Sequence, residues 1–187
     1  MEVNAIRHEL SVLGKNGIGF LLSAIIIWSI ITFIFLLPTE MTQKNMYMLF
    51  STGLMFPLSV AISNLIKADW KLEQNPLGNI GLILNLAQIV YFPILIWAMA
   101  EYPQEALMIF AIITGAHFFP YGWFYDAKAY YIMAPISSLT IMVLGFSLNG
   151  KNIWLNSLAM VFLLITLTIW LYLDYKQKAK VGAYETE

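Results

Sequence analysis

Long uncharged apolar runs alternate with short polar breaks along the chain, and the length of the runs sets the expected architecture. A helix crossing the hydrocarbon core of a bilayer needs roughly 20 mostly apolar residues. Six windows free of Asp, Glu, Lys and Arg meet that length: approximately Gly17–Leu37, Met46–Ile66, Leu77–Ala100, Ala106–Tyr125, Ala129–Leu148 and Ile153–Leu173. Connections as short as EYPQE (101–105) and DAK (126–128) leave no room for a separate folded domain. The pattern predicts an all-α integral membrane protein. Its body is a bundle of six transmembrane helices over residues 17–173, with an N-terminal segment at 1–16 and a cytoplasmic tail at 174–187.

The first sixteen residues carry a different pattern. Val3, Ile6, Leu10 and Leu13 recur at helical spacing, while Arg7, His8 and Lys15 point elsewhere. Such spacing predicts a short amphipathic interfacial helix, broken by Gly14 and Gly17. The first long run ends in LLPTE, without a small-x-small cleavage pattern, so it reads as a retained span. Threading six spans puts Arg7, Lys15, Lys67, Lys71, Lys128, Lys176, Lys178 and Lys180 on one side, and only Lys44 and Lys151 on the other. Cytoplasmic loops collect Lys and Arg, so both termini are expected in the cytoplasm. Trp97, Tyr102 and Trp154 then fall near the outer surface, and Trp70, Trp123, Tyr121, Tyr125, Tyr130, Tyr131, Trp170 and Tyr175 near the inner one. Amphipathic rings prefer headgroup depth, which accounts for them without chemistry.

Composition narrows the function classes. Of the 187 residues 60% are hydrophobic and 11% charged, against about 25% charged in soluble domains. A net charge of −1 gives no field for a nucleic-acid partner. Cysteine is absent, which removes disulfides and thiolate chemistry. Two histidines, no HExxH and no close pair of carboxylates leave no metal site, no cofactor site and no catalytic residue to assign. No span carries a charge well inside it, which weighs against ion-coupled transport, where such groups are retained for function.

Polar residues inside the spans fall in stripes. Gly78, Gly81, Asn85 and Gln88 share a face of the third span, Thr52, Ser59 and Ser63 a face of the second, and Thr114 and His117 a face of the fourth. Helix packing is the simplest reading, since small residues allow close approach and amides bond across helices at about 0.6 kcal/mol each. Gly19/Ser23, Ser59/Ser63, Ala111/Gly115 and Ala134/Ser138 supply further small-xxx-small spacings. The alternative is a polar cavity, and His117, Gln88, Asn85, Ser59 and Thr114 are its candidate residues. A tight turn near Pro103 pairs residues of spans 3 and 4 whose numbers sum to roughly 206. His117 then lies level with Gln88, and a hydrogen bond from His117 to Gln88 or Asn85 is expected. Pro57, Pro93 and Pro120 are candidate kinks, because proline removes a helical hydrogen bond.

The fragments GAHFFPYGWFY (115–125), STGLMFPL (51–58) and NPLGNIGLILNLAQIVYFPIL (75–95) together carry a family resemblance. The chain resembles a family of small, uncharacterised integral membrane proteins of Bacillus-like and related bacteria, a domain of unknown function. The likeness runs from KNG (15–17) through the fifth span, and AHFFPYGW is its most specific block. What the resemblance implies is a multi-pass protein of a bacterial cell membrane, with no activity to carry over. Three roles are open. The first is a non-enzymatic membrane component or accessory subunit, whose partners are the bilayer, another membrane protein or a second copy. The second is a small transporter or channel for a neutral or weakly polar solute. The third is a membrane-embedded enzyme acting on lipid. A dry interior at His117 and Gln88 favours the first, and a cavity there the second.

Overall fold

A computed structural model describes residues 3–148 and 150–184, without the side chains of Lys151 and residues 181–184. Expectations placed on the Lys151 side chain and on residues 185–187 lie outside the described residues. The described chain is all-helical, with α1 (Val3–Leu13), a 3-10 turn (Lys15–Gly17), α2 (Ile18–Leu36), α3 (Met41–Thr52) and α4 (Met55–Leu65). Then follow α5 (Gly78–Val90), α6 (Phe92–Glu101), α7 (Ala106–His117), α8 (Tyr121–Phe124), α9 (Lys128–Ser147), a second 3-10 turn (Gly150–Asn152) and α10 (Trp154–Tyr184). Five helices are long and apolar enough to cross a membrane, and the α3–α4 pair, bent by 43°, makes six if it is counted as one broken span. Spans 1 to 6 below are α2, α3–α4, α5–α6, α7–α8, α9 and α10.

Three spans are broken, each close to a proline. Span 2 breaks at Gly53–Leu54, just before Pro57; span 3 at Tyr91, before Pro93; and span 4 at Phe118–Pro120. Proline has no N–H to give the carbonyl four residues upstream, and its ring crowds that carbonyl. The carbonyls that lose the donor four residues on are those of Gly53, Ile89 and Ala116, and the Ala116 carbonyl accepts from the Phe119 N–H at 3.1 Å instead.

Spans 1, 4, 5 and 6 form the packed half of the bundle, and span 2 packs along span 1 through α3 and α4. α2 lies along α10 and α4, α7 along α9, and α10 against α9. The small residues sit at the crossings. A Cβ on Gly19 would collide with Ser63 on α4, and one on Gly115 would come within 3.1 Å of the Ser138 backbone on α9. Ile31, Leu107, Ile141 and Met160 are wholly buried between them, and Trp28 stacks on Phe110 at 5.2 Å between ring centroids. Outward-facing Phe33, Phe50, Val143, Phe146 and Phe162 stay exposed, an apolar belt that suits lipid rather than water.

The loop-rich end is closed by a polar lattice in which α1 takes part. Arg7 bonds the Trp123 carbonyl at 2.6 Å, pairs with Asp126 at 2.7 Å and lies over the Trp123 ring. Asn75 donates to the Ile6 carbonyl, the Asp69 N–H to the Leu13 carbonyl, and Lys15 to the Ile66 carbonyl. Asn16, in the left-handed region at φ 53°, donates to the Leu171 carbonyl and to Asp174. Those contacts dock one side of α1 on the bundle. Its buried residues are Leu10 and Ser11, while Val3 and Leu13 of the apolar face remain exposed. An exposed apolar edge suits the interfacial position expected of α1. The expected tail is also helical as far as Tyr184, and Lys178 ties it to the Tyr125 and Asp126 carbonyls.

Candidate functional site

A cavity of about 550 Å³ lies where the broken spans face the packed half. Span 1 forms one wall from Gly17 to Trp28, a depth of roughly 16 Å at the helical rise. The break of span 2 contributes Thr52, Gly53, Met55 and Phe56. Span 3 contributes Asn85 and Gln88 together with Leu82, Leu86 and Ile89, and span 4 contributes Phe110, Thr114, His117 and Tyr121. The wall is largely apolar, and among the described residues no charged side chain lines it. Its volume falls in the range of small-molecule sites, which pair apolar walls with a few placed polar groups.

The polar groups differ in how far they are already engaged. Thr114 donates to the Phe110 carbonyl at 3.0 Å and the Asn85 amide to the Gly81 carbonyl at 2.9 Å, both within their own helices. His117 Nε2 lies 3.3 Å from the Tyr121 hydroxyl, one turn on. The Gln88 side chain has no hydrogen-bond partner among the described residues. The cavity therefore presents a complete primary amide, the Asn85 carbonyl oxygen and the second ring nitrogen of His117. Gly53, whose carbonyl Pro57 leaves without its helical donor, lines the same space. These groups are the ones with which an uncharged molecule in the cavity could form hydrogen bonds.

The expected direct bond between His117 and Gln88 or Asn85 is not formed. All three line one cavity, so the pairing of spans 3 and 4 brings them level, but the cavity separates them. Tyr121, at i+4 on the same helix, reaches His117 first. Ser59 is the candidate that lies elsewhere. It is wholly buried, donates to the Met55 carbonyl at 2.7 Å and does not line the cavity. The rest of the span 3 stripe serves packing: Gly78 lies against Leu72 and Gly81 against the Phe124 ring.

At its loop-rich end the cavity is floored by an aromatic cluster that headgroup preference alone does not anticipate. Tyr121, Tyr125 and Tyr130 are buried, with Tyr125 stacked on Tyr121 at 6.1 Å and on Tyr130 at 6.0 Å. Only Trp123 and Tyr131 of the expected headgroup rings in this stretch are exposed. The Tyr130 hydroxyl donates to the Asn16 carbonyl at 2.7 Å, linking the cluster to the α1–α2 turn. Gly17, at φ 74°, meets the Tyr125 ring so closely that a Cβ would come within 2.8 Å of it. A glycine facing a tyrosine a hundred residues away leaves no local signal; the clustering of rings at 118–131 is the sequence trace of this floor.

The described residues form an all-helical bundle with five or six helices long and apolar enough to span a membrane and a cavity among them. The chain belongs to a family of unknown function, DUF7010, whose profile matches residues 3–174. No curated protein and no solved structure matches it. The match stops where span 6 leaves the packed body, so it covers α1 and all the spans but not the end of α10.

Proposed function

We propose that the chain is a non-enzymatic membrane carrier that binds a small uncharged molecule between spans 1 to 4. The cavity at His117, Gln88 and Asn85 is the observation that supports this reading over a purely structural role. The bent span 2, whose Gly53 lines the cavity, is similar to the discontinuous helices by which carriers expose polar backbone to a substrate. The absence of a charged group among the described lining residues suits a neutral solute, because a charged one would lie deep without a counter-ion. Catalysis has less support: His117 and the tyrosines beside it are the titratable groups of the cavity, with no carboxylate partner.

In this reading the protein sits in a bacterial cell membrane with both termini cytoplasmic. The support is the concentration of Lys and Arg at the end where α1, the 66–77 loop, the 125–128 turn and α10 meet. A second role, as an accessory subunit, draws on span 3, which leaves Ile83, Val90, Ile94 and Trp97 exposed for lipid or a partner helix. The test of the carrier reading is to fill the cavity. Ala24→Phe places a ring in it from span 1, and small molecules extracted from the purified variant are compared with those from wild type by mass spectrometry. A species carried by wild type and missing from a variant with unchanged melting supports binding. Identical extracts contradict it.

A further inference from the structure

The cavity does not close on all sides. Phe56 on span 2 is 51% exposed, and Leu82, Leu86 and Ile89 on span 3 are 53%, 51% and 56% exposed, although all four line it. Gly53 is likewise a lining residue and exposed. α5 packs on α6, α7 and α8, and spans 2 and 3 do not pack along their lengths. The gap between them is a lateral window. Gly53 stands at the middle of Met41–Leu65 and Ile89 at the middle of Gly78–Glu101, so the window reaches the bilayer midplane. From Ile89 it extends to Leu82, roughly 10 Å toward the loop-rich end at the helical rise.

That placement decides what can enter. At the depth of the window the surroundings are acyl chains, and the loop-rich end is floored by the buried tyrosines and tied by Arg7 and Lys178. The polar groups behind the window, Gln88, Asn85 and His117, are deep and uncharged. A charged headgroup drawn to them would lose its water with no opposite charge to meet it. A hydroxyl or carbonyl would complete the unpartnered Gln88 amide. Building on the carrier reading, we infer that the ligand is an uncharged amphiphile dissolved in the bilayer. It carries an apolar chain or ring system and one hydrogen-bonding head, and it enters between spans 2 and 3 from the leaflet beside the loop-rich end.

The test uses the full chain in phosphatidylcholine vesicles, with a diazirine-tailed monoacylglycerol as probe and the matching diazirine phosphatidylcholine as charged-head control. The adducts are mapped by mass spectrometry. The monoacylglycerol is expected to label interior wall residues such as Leu21 and Phe110, and the control only outward-facing ones such as Phe162. Gln88→Leu should lower interior labelling by roughly tenfold, the effect of one lost hydrogen bond, with outward labelling unchanged. Leu86→Trp, which narrows the window without touching Gln88, should slow the same labelling and provides an independent variant. Equal labelling by both probes, or interior adducts indifferent to both substitutions, overturns the inference.

The chain has no cysteine, so Gln88→Cys can report water. Rapid reaction with a membrane-impermeant maleimide would mean an aqueous route; that sinks lateral entry and leaves the carrier reading standing. An intermolecular disulfide in Leu86→Cys would mean that a second copy covers the window, which also overturns the inference. Failure of the carrier reading looks different: neither probe, nor any co-purified molecule, depends on the cavity.

Discussion

Span 4 and span 3 are neighbours in sequence and span 3 is the more apolar, yet the bundle buries span 4. Of the most apolar window in each, 61% is buried in span 4 and 6% in span 3. Span 4 carries Ala106, Ala111 and Gly115 toward α9, so backbones approach and side chains interlock. Span 3 places small residues only at Gly78 and Gly81, against Leu72 and Phe124, and beyond them offers Asn85 and Gln88 to an open space. Packing in a bilayer depends on close approach and not on hydrophobicity, because lipid is as apolar as leucine. The bundle is therefore a rigid half, built on spans 1, 4, 5 and 6 with span 2 packed along span 1, and a loosely held wall made by span 3; the cavity lies at the seam. Elements with few buried contacts open at low cost, which is what a ligand entering between them requires.

Substitutions should separate the two halves. Gly17→Ala is expected to have the largest effect, roughly 2–5 kcal/mol of lost stability, because it combines a left-handed backbone with a collision at Tyr125. A comparable melting temperature to wild type in detergent would contradict the tight floor. Next comes Tyr130→Phe, which strips the Asn16 carbonyl of its buried donor, at about 1 kcal/mol; denaturant unfolding of the same preparation reads it. Gln88→Leu should be neutral or slightly stabilising, within about 0.5 kcal/mol, since it removes an amide with no partner among the described residues. A large loss would mean that the amide is engaged in packing. Val90→Ala, on the lipid side of span 3, is expected to change stability least. Its melting should match that of wild type, whereas a marked drop would mean that a partner helix packs there.

The spans were legible because run length is a direct reading of bilayer thickness, and the windows lie within a few residues of the helices except at the end of span 6, where α10 runs on to Tyr184, and at the start of span 2. There α3 begins at Met41 and includes Lys44, which reaches back to the Phe35 carbonyl. The inner face of span 3 was legible too, since Gly78, Gly81, Asn85 and Gln88 repeat at helical spacing and a lipid-facing amide would be costly. What escaped was set by distant residues. Tyr121, Tyr125 and Tyr130 read as headgroup rings because each can serve there. They are buried because α1 and the turn at Asp126 cover them through Arg7. His117 read as needing span 3, when a local tyrosine one turn away was within reach. Ser59 shared a helical face with Thr52, and the bend at Gly53 turned the two toward different neighbours.

The most direct measurement compares distances within the rigid half with distances across the seam. Spin labels on single cysteines are placed at exposed, lipid-facing positions of the otherwise cysteine-free chain and measured by pulsed electron paramagnetic resonance in nanodiscs. The pair Val143→Cys and Phe162→Cys lies within the rigid half, and the pair Ile83→Cys and Phe162→Cys spans the seam. The account predicts a narrow distribution for the first pair and a broad one for the second. The second should narrow when the monoacylglycerol is added to the disc. Equally narrow distributions, with no response to the lipid, would contradict a loosely held wall and with it the ligand cavity at the seam.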